Sequence, residues 1–209
     1  MDFVKMGGFA LQLIEVFVAV AASMLLMIMH EFPKAVVFVH SLPKKEHSFY
    51  RKKIWRLQCY IDMVGVVMSV VSFAGFSKPL MYRVSNPKTN ISMGSCGFVS
   101  LLLAFVGSVC RLRQKYELSY LAINDIGIKS VVGQLFWIYM AILSVSMFLV
   151  NLFPVSVFDM GLIIAGSSAH GYLNIVKSDS FIKCILILAI LFGVVRHFSF
   201  MLVNTCLGL

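Results

Sequence analysis

Leu25-Leu26-Met27-Ile28-Met29-His30-Glu31-Phe32-Pro33-Lys34 is the stretch that decides how this chain folds. It closes an apolar run over residues 8–29 in which Glu15 is the only charge. At 1.5 Å per residue such a run crosses a hydrocarbon core of about 30 Å. Its continuation sets an imidazole, a carboxylate and an ammonium on one helix at membrane depth. A charged side chain at the centre of a spanning helix costs roughly 2.5–3.5 kcal/mol on insertion scales. Each of these groups therefore needs a partner from elsewhere in the chain.

Working outward, the same chemistry governs the whole sequence. Of 209 residues, 60% are hydrophobic and 13% charged, with a mean hydropathy of +0.91. A soluble domain carries about 25% charged residues. The composition is that of an all-α polytopic membrane protein. The formal charge of +9 then reads as membrane topology, since Lys and Arg collect in cytoplasmic loops. It does not call for a nucleic-acid partner. The five cysteines, Cys59, Cys96, Cys110, Cys184 and Cys206, are odd in number and form no CxxC pair, which excludes a disulfide framework as the organising principle. Lys5 before an apolar run resembles a signal peptide, but the run outlasts an ordinary h-region, so an uncleaved transmembrane helix is expected.

The expected helix continues through His30 and Glu31 toward Val39, bent at Pro33. A basic stretch follows at residues 40–56, with Lys44, Lys45, Arg51, Lys52, Lys53 and Arg56 against Glu46 alone. It is the strongest cytoplasmic signal in the chain. Residues 61–76 are apolar but too few for a span, and Gly65 and Gly75 suit a re-entrant hairpin with Asp62 capping or turning it. Residues 77–92 read as loop, 93–110 and 131–150 as spanning helices, and 111–130 as a modestly basic loop. An interrupted segment at 151–172 holds Pro154, Asp159, Gly161 and Gly166, and an extra C-terminal helix is expected at about 181–203. The expectation is one membrane-embedded domain over 1–209, with about four transmembrane helices, a re-entrant segment and a broken helix. No inverted repeat of the transporter kind is visible.

His30-Glu31-x-x-Lys34 is one residue short of His-Glu-x-x-His, the pattern in which residues i and i+4 ligate zinc from one helix face and the glutamate serves as general base. The fourth-residue position holds an ammonium group instead. Neither His170 nor His40 is placed to supply the ligand. His170 lies 11 residues beyond Asp159, about 16 Å along a helix axis, and His40 is similarly displaced from His30.

Asn151-Leu152-Phe153-Pro154-Val155-Ser156-Val157-Phe158-Asp159 resembles the Asn-x-x-Pro…Asp-Gly signature of the site-2 protease family, the intramembrane zinc metalloproteases. Tyr60-Ile61-Asp62-Met63-Val64-Gly65 resembles the His-Ile-Asp-Pro-Leu-Gly segment of its compact bacterial members. Gly75-Phe76-Ser77-Lys78-Pro79 with Asn86-Pro87 resembles their Gly-Phe-Gly-Trp-Ala-Lys-Pro…Asn-Pro loop, and Gly97-Phe98-Val99-Ser100-Leu101-Leu102-Leu103 their Gly-Pro-Leu-Ser-Asn-Leu-Leu. These pieces fall in the family's order, over about residues 25–170.

The resemblance implies His30 and Asp159 as zinc ligands if zinc is bound, Glu31 as general base if the site is active, and Gly97, Asn151 and Pro154 beside a substrate groove. The departures fall on functional positions: Lys34 for the second histidine ligand, Phe98 and Leu101 for the Pro and Asn of Gly-Pro-x-x-Asn, Met160 for the glycine after the aspartate. Loss of a dication would leave Glu31 and Asp159 as uncompensated buried anions. Lys34, i+3 from Glu31 on the same helix, is expected to substitute for the metal's charge by pairing with Asp159 or Glu31. The expected protein is an inactive pseudoprotease without cofactor that binds or retains membrane-protein partners, in a bacterial plasma membrane. The alternative is an active intramembrane metalloprotease whose zinc is held by His30, Asp159 and a third ligand. Asp159 meets His30 only if residues 61–76 re-enter, which leaves the N-terminus outside and the loop at 111–130, of net charge about +2, on the same side.

Overall fold

A computed structural model of the chain describes residues 3–43, 50–79, 86–121 and 128–208, with side chains described at 12–43, 50–79, 86–114 and 131–208. Lys44, Lys45 and Glu46 of the basic stretch lie outside the described residues. Every regular element among the described residues is helical. Helix α1 runs Phe3–Ser41 and passes through Pro33 without interruption. After a 3-10 turn at Leu57–Tyr60 come α2 (Met63–Ser72), α3 (Pro87–Leu121), α4 (Ile128–Leu152), α5 (Asp159–Ser167), α6 (Ala169–Leu191) and α7 (Val194–Leu207). Three helical stretches are long and apolar enough to cross a membrane, Gln12–Ser41, Pro87–Gln114 and Val131–Leu152; α6 and α7 together make a fourth, bent by 59°. The protein has the build of a multi-pass membrane protein.

Packing orders the helices end to end. At one end, Ala35, Phe38 and Val39 of α1 bury against Ile54, Tyr60, Met93 and Leu162. In the middle, Ala22, Leu26 and Met27 meet Leu101 and Ala104 of α3 and Met140, Leu143 and Met147 of α4. At the other end, Leu112 of α3 packs with Ala141 and Val145 of α4 and Val203 of α7, and the Arg113 guanidinium donates to the Cys206 carbonyl. Helix α1 thus runs toward the first end, α3 away from it, α4 and α5 back, and α6 with α7 away again.

The short apolar segment turns back on itself. Asp62 caps α2, its Oδ1 accepting from the backbone N–H groups of Val64 and Gly65 at 2.9 and 3.0 Å. Ten residues of helix rise only about 15 Å. Phe73 then takes a left-handed conformation (φ 55°), and residues 74–79 return without helix. The Lys78 N–H donates to the Tyr60 carbonyl at 3.1 Å, so both ends of the hairpin lie at one level. Its arms touch through glycine: a Cβ on Gly65 would overlap the Phe76 carbonyl, and one on Gly75 the Ser69 hydroxyl.

Four boundaries differ from the sequence reading. Helix α3 begins at Pro87, within the expected loop, because proline at a first helical position sacrifices no intrahelical bond. The same helix extends to Leu121, into the expected loop at 111–130. The interruption expected over 151–172 narrows to residues 153–158 and a one-residue break at Ser168 between α5 and α6. The single helix expected over 181–203 is instead two, since Phe192 and Gly193 stop α6 and Gly193 adopts φ +70°.

Candidate functional site

Three segments bring the polar centre together. Helix α1 contributes His30, Glu31 and Lys34, all within one turn and all buried. The break between α4 and α5 contributes Asp159. Pro154 cannot donate a backbone hydrogen bond, and the freed groups find other partners: Phe153 N–H bonds Val150 O, Phe158 N–H bonds Val155 O, and Ser156 N–H is taken by the Asp179 carboxylate of α6 at 2.9 Å. Asp159 follows as the first residue of α5, where the positive end of the helix dipole favours an anion. The returning arm of the hairpin contributes Ser77.

These five side chains close a hydrogen-bonded ring. Lys34 Nζ donates to Glu31 Oε1 at 2.6 Å and to Asp159 Oδ1 at 2.8 Å. His30 Nε2 lies 2.7 Å from Asp159 Oδ2, and its Nδ1 lies 2.9 Å from Ser77 Oγ. Ser77 Oγ donates to Glu31 Oε1 at 2.7 Å. The donor count assigns the protons. With its one hydrogen given to Glu31, the Ser77 oxygen accepts from His30 Nδ1–H. One proton lies between His30 Nε2 and Asp159 Oδ2, and on either atom it leaves the four ionisable groups with no net charge. A buried ion cluster is tolerated when the charges cancel and the charged groups are hydrogen-bonded to one another; here the charges cancel and two of the three Lys34 N–H donors reach carboxylates.

Gly97 of α3 makes room for the ring. A Cβ there would overlap both carboxylate oxygens of Asp159, and one on Gly94 would press on the Asp159 backbone carbonyl and Ile163. The resemblance placed Gly97 beside a substrate groove; in the structure it backs the aspartate directly. Asn151 is buried and donates from Nδ2 to the Met147 carbonyl at 2.9 Å within its own helix, while Pro154 is half-buried in the break. Outside the cluster, His170 and His40 are exposed, and His40 Nδ1 contacts the Val36 carbonyl. Tyr60, at the position of the family's His-x-Asp histidine, donates to the Ile54 carbonyl at 2.6 Å. Burial pushes its phenol up from the ordinary 10 to about 12.

Ser77 stands in the Gly75–Pro79 stretch of the resemblance, which gives it no site role. It sits in a stretch read as loop, and its only signal was its place directly after the hairpin. Lys34, expected to pair with one carboxylate, reaches both.

The donor set does not fit zinc. Catalytic zinc takes three protein ligands and keeps a fourth position for water. Here His30 and Asp159 face each other at hydrogen-bond distance, and an ammonium touches both carboxylates. Among the described residues no group of three or more His, Cys, Asp or Glu side chains is placed to hold a metal ion. Comparison with protein-family models, curated proteins and solved structures returns no match.

Proposed function

We propose that this chain is a site-2-protease-like membrane protein in which a lysine has taken the charge of the metal, and that it binds or retains a transmembrane partner without cleaving it. One observation carries the reading: Lys34 Nζ bridges Glu31 and Asp159 at 2.6 and 2.8 Å, at the centre of the residues that the family resemblance assigns to zinc. The bridge, together with the proton shared by His30 and Asp159, balances both carboxylates and leaves Glu31 accepting from an ammonium and a hydroxyl. A glutamate so occupied is a poor base toward water.

The groove is supported more thinly, by position. Leu152 and Val157 are exposed at the edges of the break, beside Asn151 and Pro154, so a partner helix laid there would lie along non-helical backbone next to the ring. Non-helical backbone at membrane depth is tolerated where protein surrounds it, which a partner would help to provide. Arg51, Lys52, Lys53 and Arg56 all follow α1 at the end where the hairpin opens. By the positive-inside rule that end faces the cytoplasm of a cell membrane, with the N-terminus outside.

The test is photo-crosslinking in native membranes from benzoylphenylalanine placed at Val157. The reading predicts adducts with intact membrane proteins, in equal yield for the wild-type chain and E31Q. Cleaved partners that accumulate with the wild type and not with E31Q would establish a protease instead.

A further inference from the structure

We infer that the bend between α6 and α7 docks a second transmembrane helix, one that carries an aspartate or glutamate at mid-depth, and that Arg196 is the side chain that pairs with it. The site lies away from the ring of Lys34 and Asp159, and nothing in this inference rests on the function proposed above.

Arg196 is a cation of the spanning segments without an ion pair among the described residues. Its guanidinium lies on the outer surface, over the rings of Phe73 (5.1 Å) and Phe200 (5.6 Å). Ring faces attract a cation but bring no countercharge. Among the described residues no carboxylate makes an ion pair with it, whereas Lys34 has two carboxylates and Lys183 has Asp179. Depth makes this costly. Ten residues of α7 separate Arg196 from Cys206, the level of Arg113, which is roughly 15 Å of helix or half the hydrocarbon thickness. That is further than an arginine side chain reaches, so a headgroup phosphate at that surface does not serve. Charged groups at such depth face protein or a cavity and pair with one another.

The shape fits the same occupant. Gly193, Arg196, His197 and Phe200 line a cavity of about 260 Å³. Gly193 has open space where a side chain would point, and a glycine notch lets a neighbouring backbone approach closely. Phe192 (81% exposed) and Phe198 flank it with bare apolar surface. A carboxylate entering the cavity meets the guanidinium fork in the bidentate geometry that arginine favours.

The test uses the full chain in phosphatidylcholine nanodiscs, with energy transfer to a labelled peptide of roughly 20 Leu and Ala residues. Three peptides are compared: unsubstituted, one aspartate at the centre, and one aspartate at the end. The central-aspartate peptide is expected to associate about tenfold more tightly than the other two, to lose that advantage against R196M and to keep part of it against R196K. Equal association of the three peptides overturns the inference, a result read on the wild-type chain whatever becomes of the variants. Retention of the advantage by R196M also overturns it. Self-association of the peptide-free chain that R196M abolishes would assign the surface to a second copy and refute the acidic partner.

Discussion

The ammonium nitrogen of Lys34 lies 2.8 Å from Oδ1 of Asp159, although 125 residues separate the two. Three devices set that distance: the proline break that starts α5 at Asp159, the glycine at 97 that lets the carboxylate in, and the hairpin that keeps the ends of α1 and α3 at one level. Removing the ammonium should therefore expose the cost of the whole arrangement. K34M leaves the buried His30–Glu31–Asp159 group with one negative charge in excess, and loss of one partner from a buried ion pair costs about 3–5 kcal/mol. Thermal unfolding in detergent is expected to fall sharply for K34M and to recover in part when E31Q restores the charge balance. An unchanged melting temperature in K34M would contradict the ring.

Gly97 offers a steric test with an internal control. Alanine there meets the Asp159 carboxylate, while alanine at Gly107 of the same helix meets nothing within 4 Å. Overpacking of this kind costs about 1–3 kcal/mol. G97A is expected to unfold earlier than the wild type, and G107A to match or exceed it. Equal stability of G97A and G107A would refute the close approach of α3 to Asp159.

Tyr60 gives a pH dependence with a definite sign. Its phenol is held neutral by burial, with the folded value raised from 10 to about 12. A group whose folded pKa lies above its unfolded value contributes stability below the unfolded value and loses it as pH rises through the folded one. The wild type should lose stability between about pH 10 and 12. Y60F should lack this step and be less stable at neutral pH by about 1–3 kcal/mol, since the Ile54 carbonyl loses its donor. Denaturant midpoints across that range read both effects, and parallel profiles for the two proteins would contradict them.

Much of this was legible from residues. The apolar run before His30 marked α1, and the shortness of residues 61–76 with Gly65 and Gly75 marked a segment that goes in and comes back. Asp62 was legible as a cap because a short acid before an apolar helix has free backbone N–H groups to accept. Lys34 was legible as a countercharge from its spacing to Glu31. Ser77 was not, because a hydroxyl gains its role only when tertiary folding lays the returning arm against α1, and no periodicity records that contact. The break at Gly193 was hidden in a run apolar on both sides, where hydropathy cannot tell one helix from two. Gly97 was legible only as part of a resembling motif; that its lack of a side chain makes room for the Asp159 carboxylate needs the tertiary packing of α3 on α5.

The central claim is that Lys34 stands where a metal would otherwise supply charge, and it is tested most directly by counting zinc. The wild-type chain, purified from zinc-supplemented cells without chelator, is predicted to carry far less than one zinc per chain by elemental analysis, and K34H to gain zinc that is lost again in K34H with D159A. One equivalent of zinc on the wild-type chain, removed by mutating His30 and Asp159 together, would contradict the account.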